Sequence, residues 1–196
     1  MFSTNQCAAG CGRPAITGYN LCFTHLANPE QEYMRICEFI GKNRSITNLN
    51  VSGMHFENTD FSNHDFYGCN FKDTSFTHCN FSGVKIKMSL FDFVGFTDCN
   101  FTKSDIQFLS FAGALIESCN FDGSEITHVN FGGATIINSS FSNSNLYNSR
   151  FVCADLEETS MVNCNLKHVY LVNAKQKDVP TKSSNTAEAI YEMEEQ

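Results

Sequence analysis

Residues 69–83 read Cys-Asn-Phe-Lys-Asp-Thr-Ser-Phe-Thr-His-Cys-Asn-Phe-Ser-Gly, with Phe71, Phe76 and Phe81 five positions apart. The spacing extends both ways without a gap from Ile46 to Leu171, giving 26 consecutive apolar centres that hold 14 of the 19 phenylalanines. A period of five fits neither regular element. Along a helix the stripe would spiral round the axis, and along a strand an odd step would change face every time. The backbone must therefore bend once per repeat. Two positions before the centre the residue is small, as in Cys69, Cys79, Cys99, Ala114, Cys119, Ala134 and Ala154, and two positions after it Gly83, Gly113, Gly123 and Gly133 recur. The centre and the small residue before it then point inward with the period of a strand, the residue between them points outward, and the two after the centre turn a corner.

Finer periodicities count the corners. From Ile106 to Leu156 the centres alternate aliphatic and Phe, and Cys79, Cys99 and Cys119 recur at twenty, so four faces of five residues close one coil. One column stacks Phe71, Phe91, Phe111, Phe131 and Phe151, the opposite one Phe61, Phe81, Phe101, Phe121 and Phe141, with aliphatic columns between them filling a narrow square interior. Runs such as Cys79-Asn80-Phe81-Ser82-Gly83, Cys119-Asn120-Phe121-Asp122-Gly123 and Ala154-Asp155-Leu156-Glu157-Glu158 resemble the pentapeptide-repeat family, whose consensus is Ala-(Asp/Asn)-Leu-X-X with Phe often at the centre. The resemblance covers about 130 of the 196 residues and implies an all-β, right-handed quadrilateral β-helix. About six and a half coils at the usual strand spacing of about 4.8 Å make a rod on the order of 30 Å long.

The expected organisation is a metal-binding motif at 1–27, a capping helix at 28–45, the β-helix at 46–173 and a tail at 174–196. In the first segment Cys7-x3-Cys11-x10-Cys22-x2-His25 places four soft ligands in two close pairs, among Gly10, Gly12, Pro14 and Gly18. Such a set matches a tetrahedral Cys3His zinc site of the structural kind, since four protein ligands close the shell and so small a segment needs metal to hold a shape. Unliganded cysteines are the alternative. Asn28-Pro29-Glu30 then reads as N-cap, proline at the first turn and an acidic start, and Tyr33, Ile36, Cys37, Phe39 and Ile40 form an apolar face up to about Lys42 that covers the first coil. His64 falls in a small inward slot as a first-coil irregularity. At the other end Tyr170 and Val172 are apolar in outward slots, as a contact either for a short helix around 187–193 or for a second copy, since many members of the family dimerise through their C-terminal coils. The stretch 175–185 reads as a mobile linker.

No apolar leader and no apolar run long enough to span a membrane occur, so the expected location is a reducing cytoplasm, where cysteines act as metal ligands and small core residues rather than disulfides. The net charge of -8 argues against direct binding of nucleic acid, whose phosphates require Lys and Arg. Residues 46–172 hold 13 of the 21 acidic side chains against 6 basic ones. By register, Glu57, Asp60, Asp98, Glu117, Asp122, Asp155, Glu157 and Glu158 fall on two adjacent faces, with Lys103 the exception, while Lys72, Lys85, Lys87, Arg150 and Lys167 lie on the other two, so a two-sided rod is expected. On the basic side Met88, Leu90, Phe93 and Phe108 occupy outward slots that are usually polar, and Leu109 is large for its inner slot. These either form a protein contact or bulge inward.

No nucleophile motif, phosphate loop or acid-base set stands out, and Asn148 separates His128 from His168 in their column, so an enzyme is not expected. Two binding readings remain. In the first, the rod is a rigid scaffold or adaptor presenting the zinc motif, the apolar patch and the tail. In the second, the acidic rod resembles the quinolone-resistance members of the family, and that resemblance implies a mimic of duplex DNA that occupies the DNA saddle of a type II topoisomerase such as gyrase.

Overall fold

A computed structural model describes residues 5–192. From Ser45 to Ile190 the chain winds as a four-sided parallel β-solenoid whose strands and bridges pair with those twenty positions on. One face stacks five three-residue strands, from Ser45–Thr47 to Glu125–Thr127, and the opposite face stacks seven, from His55–Glu57 to Lys175–Lys177. The two remaining faces are joined by single bridges such as Asn70 with Leu90 and Asn80 with Asn100. The seven-stranded face counts seven coils, slightly more than the periodicity of the apolar centres suggested. Among the described residues no helix is long and apolar enough to cross a membrane.

Each corner has the same construction. The residue two after the centre takes a left-handed backbone, with φ running from +48° at Glu158 to +75° at Gly53. Glycine, asparagine and aspartate adopt it at least cost, which explains their frequency there. An Asn before the centre accepts the N–H two residues on, as Asn80 does from Ser82 at 3.1 Å and Asn120 from Asp122 at 2.9 Å. This side-chain turn prefixes the corner and gives the outward slot its preference for Asn. Asn100 also donates through Nδ2 to Asn80 at 3.3 Å, so the amides form a ladder along the rod.

Inside, the two phenylalanine columns stack as the register required. Phe81, Phe101, Phe121 and Phe141 have successive centroid separations of 4.5, 4.6 and 4.7 Å, close to the coil spacing, and Phe131 and Phe151 stack at 4.7 Å on the opposite side. Neighbouring columns meet edge to face, with Phe96 and Phe101 at 5.0 Å. Serines in the small inward slot bond to the preceding coil, Ser124 Oγ donating to the Phe101 carbonyl and Ser144 Oγ to the Phe121 carbonyl, both at 2.8 Å. The hydroxyls of this slot are thus satisfied.

Helix α1 (Pro29–Lys42) covers the first coil. Ile36 and Ile40 are buried, and Tyr33 packs on Phe56 at 5.6 Å. Asn28 sits at the N-cap without a side-chain capping bond, and Asn43 Nδ2 closes the other end on the Phe39 carbonyl at 2.7 Å. Phe39 itself, expected on the packed face, is exposed, and Glu32 takes the inward position instead at 3% exposure. His64 ties the helix end to the rod, its Nε2 lying 3.0 Å from the Ile40 carbonyl.

At the C-terminal end the expected linker at 175–185 is a further coil. Lys175–Lys177 pairs in parallel with Asp155–Glu157, Met161 N–H donates to the Pro180 carbonyl at 2.9 Å and Leu171 N–H to the Ile190 carbonyl at 2.7 Å. The rod therefore runs past residue 173. The helix expected at 187–193 is a single 3₁₀ turn at Thr186–Glu188, and Met193 lies outside the described residues. Val172 is buried and Tyr170 bridges to Ile190, so the two apolar outward residues make contacts within the chain.

Candidate functional site

The segment before α1 is a short hairpin, with Gln6 bridged to Pro14, followed by the 3₁₀ turn Phe23–His25. Gly10 has φ of +74° in the tight loop between Cys7 and Cys11, and its N–H donates to the Cys7 carbonyl at 2.9 Å. The fold brings Cys7, Cys11, Cys22 and His25 together, with all four ligand atoms within 4.8 Å of one another. Cys7 Sγ and Cys22 Sγ each lie 3.4 Å from His25 Nδ1, and Cys11 Sγ lies 3.6 Å from Cys22 Sγ. Bonds of about 2.0–2.3 Å from one tetrahedral centre place sulfur and nitrogen ligands roughly 3.4–3.8 Å apart, so this group could hold a metal ion.

Its environment favours thiolate at Cys22 and Cys7 but not at Cys11, which is raised above the usual thiol range. Burial pushes the Cys22 thiol up, but hydrogen bonds with Thr24, Cys11 and Cys7 outweigh it and hold the group at about 6. The backbone N–H of Cys22, ahead of burial acting the other way, lowers Cys7. Outside the ligands, Arg13 Nη1 donates to Thr24 Oγ1 at 2.9 Å, and that hydroxyl lies 3.3 Å from Cys22 Sγ. Sequence spacing singled out the four ligands but gave no sign of Arg13 and Thr24, whose partnership exists only once the two halves of the loop meet.

Three of the four apolar side chains singled out on the rod are open to solvent: Met88 is 50% exposed, Phe93 59% and Phe108 49%, whereas Leu90 is half-buried. They do not bulge inward. Each of the three stands at a corner, with φ between +52° and +57°, and Phe93 N–H keeps the regular bond to the Ala112 carbonyl at 2.9 Å. Met88, Leu90 and Phe108 line one cavity of about 470 Å³ together with Tyr67, Leu109 and His128. Phe93 belongs to the next corner, where its ring covers Gly113 and lies 5.3 Å below Lys72 Nζ. The expected single patch is therefore two neighbouring ones. From Phe108 an aromatic row climbs the outside of the rod through His128 at 4.7 Å, Tyr147 at 5.6 Å and His168 at 5.7 Å. Tyr67 and Tyr147 were missed because each follows a centre, a slot that shows no residue preference.

The acidic residues fall on the two faces expected, but the flank is interrupted. Lys175, from the additional coil, lies 3.4 Å from Asp155, Lys177 pairs with Glu157, and His78 stands 3.4 Å from Asp98. The opposite side is mixed rather than basic, because Asp65, Asp73, Asp92, Asp105 and Glu125 stand among its lysines and Lys87 pairs with Asp105 at 3.2 Å. In the interior, burial raises Cys69 to about 11, and the contact with Cys119, ahead of burial, raises Cys99 to about 12. These thiols stay protonated and act as small packing groups, while Cys153 is exposed at its corner.

The sequence matches the family model for the pentapeptide repeat region over residues 49–131 and that for pentapeptide repeats over 139–175. Comparison with curated proteins gave no match. Among solved structures, a full-length QnrB1, described as a plasmid-mediated fluoroquinolone resistance protein, is 17% identical, covering 72% of this chain and 90% of its own with a TM-score of 0.33. A pentapeptide repeat protein from the Arabidopsis thaliana thylakoid lumen is 26% identical over 50% of this chain and 66% of its own, with a TM-score of 0.37. Rfr23 from the cyanobacterium Cyanothece 51142 is 10% identical over 81% of this chain and 99% of its own, with a TM-score of 0.39.

Proposed function

Because the chain belongs to the pentapeptide-repeat family, we propose that it is a non-enzymatic scaffold whose rod presents an apolar protein-binding surface, with a structural zinc ion held by Cys7, Cys11, Cys22 and His25. The observation that carries the binding reading is the placement of Met88, Phe93 and Phe108. At corners where Gly or Asn is cheapest, these bulky side chains stand with a left-handed backbone and half their surface in water, and the stacking of Phe108 on His128 and of Phe93 over Gly113 still leaves that half exposed. For zinc the support is the donor set itself, three sulfurs and one imidazole nitrogen, with separations of 3.4, 3.4 and 3.6 Å in the tetrahedral range. The ten free thiols fit a reducing compartment such as the cytoplasm.

The double variant Phe93→Asn, Phe108→Asn tests the surface without harming the fold, since Asn is the natural occupant of this slot. Each change is expected to leave stability the same or raise it by up to about 1 kcal/mol, while capture of a protein partner from native lysate falls on the order of tenfold. Equal capture by both proteins would sink the assignment of this surface.

The acidic flank of Glu57, Asp60, Glu117, Asp122 and Glu158 supports a second reading, a DNA mimic acting on a type II topoisomerase. Its pairing with Lys175 and Lys177 weakens it at the C-terminal end. On that reading, micromolar protein inhibits or protects gyrase in a supercoiling assay, and the effect fades steeply with added salt. No effect at low salt rejects it.

A further inference from the structure

The first coil of a solenoid has no preceding coil to pair with, and its strand edge must be covered. In this chain the metal loop does so through three bonds to one residue. Asn50 N–H donates to Thr17 Oγ1 at 2.7 Å, Thr17 N–H donates to the Asn50 carbonyl at 3.0 Å, and Asn50 Nδ2 donates to the Ala15 carbonyl at 2.7 Å. One coil further in, the same groups pair with a neighbouring coil: Asn70 N–H donates to the Leu49 carbonyl at 2.8 Å, and the Asn70 carbonyl accepts from Val51 N–H at 3.0 Å. Thr17 thus stands in for the missing coil. Between Ala15 and Thr17, Ile16 is buried in the rod's own core.

Residues 15–17 lie in the middle of the loop between the ligand pairs Cys7/Cys11 and Cys22/His25, so the ion would clip together the two ends of the segment whose centre covers the edge. Tyr19, in the same loop, donates to Glu32 on α1 at 2.9 Å. The seam beneath is imperfectly closed. A cavity of about 440 Å³ lies between Arg13, Cys22 and Thr24 on the loop and Ser52, Gly53 and Asp73 on the rod, and Ser52 Oγ is buried there without a hydrogen-bond partner. Lifting the loop would hydrate that hydroxyl, which lowers the cost of opening at this joint relative to any joint between inner coils.

We infer that the Cys3His loop is a metal-dependent latch: bound metal holds residues 15–17 on the first-coil edge, and its loss opens that edge while the inner coils stay closed. The inference rests on the zinc reading above. It is tested on the full chain by hydrogen exchange with zinc bound and after removal of zinc by a chelator, with metal content measured in parallel. Without zinc, amides around Asn50 and Val51 are expected to exchange at least about tenfold faster, with no change from Phe101 to Phe151. Coupling between equilibrium affinities is reciprocal, so Thr17→Val, which removes the hydroxyl acceptor but no metal ligand, is expected to bind zinc at least about fivefold more weakly in equilibrium competition with a colorimetric chelator. Zinc bound at one per chain, with first-coil exchange unchanged on its removal and wild-type zinc affinity in Thr17→Val, overturns the latch and leaves the zinc reading standing. Failure of zinc-supplemented protein to retain zinc overturns both.

Discussion

Phe101→Ala is expected to destabilise the protein by about 3–5 kcal/mol, the range for deleting a fully buried aromatic side chain. Phe101 is completely buried, stacked between Phe81 and Phe121 at 4.5 and 4.6 Å and met edge-on by Phe96 at 5.0 Å. The hole would open in the middle of a column whose backbone is fixed above and below by coil-to-coil hydrogen bonds, so neighbouring rings have little freedom to collapse into it. The control is Phe108→Ala, the same chemical change at an exposed corner, for which a shift within about 0.5 kcal/mol is expected. Chemical denaturation followed by far-ultraviolet circular dichroism measures both, since the chain has no tryptophan to report by fluorescence. Equal losses for the two variants would contradict the division of phenylalanines into inward centres and outward corners.

That division was legible in the sequence because one physical requirement recurs every five residues. The inward slot must be apolar, the slot two before it small, and the corner tolerant of a left-handed backbone, so coil size and the phenylalanine columns follow from register alone. The cluster of Cys7, Cys11, Cys22 and His25 was legible for a related reason, a spacing that only chain-level closure can use. What periodicity missed lies where no period operates. The seventh coil places Gln176, Thr181 and Thr186 at the centres, so the apolar signal stops at Leu171 although the backbone continues to pair through Lys175 N–H and the Ala154 carbonyl at 2.9 Å. A terminal coil has a neighbour on one side only and encloses no core, so its centres are free to be polar. That coil brings Lys175 and Lys177 onto Asp155 and Glu157, and so interrupts a flank that charge counting had shown as acidic but for Lys103. The Thr17–Asn50 and Tyr19–Glu32 contacts were invisible in the same way, each joining a loop without repeats to a distant element through one side chain.

The second of these contacts carries the other large expected effect. Glu32 is 3% exposed, yet it is fully partnered: Arg35 Nε reaches both carboxylate oxygens at 2.8 and 2.9 Å, and Tyr19 donates at 2.9 Å. Arg35→Ala would leave a buried carboxylate with the tyrosine alone. Breaking fully buried pairs costs about 3–5 kcal/mol, and because Arg35 is itself half in solvent the expected loss at neutral pH is smaller, about 2–3 kcal/mol. The pH dependence fixes the cause. The Arg35 guanidinium, ahead of burial acting in the opposite sense, holds Glu32 below the usual carboxylate range. A depressed folded-state value means that the stabilisation is fully present above the unfolded pKa of about 4.3 and fades as pH falls through the lower folded value. The gap between wild type and Arg35→Ala should therefore be widest near neutrality and narrow in acid, where protonation spares the variant its buried charge. A second change, Glu32→Met, placed on Arg35→Ala should recover most of the loss at neutral pH by removing the unpaired charge. Denaturation curves for the wild type and the two variants at neutral and acidic pH decide the matter: a gap independent of pH, or a double variant no more stable than Arg35→Ala, would show that Arg35 acts through packing of its stem on α1 and not through the charge of Glu32.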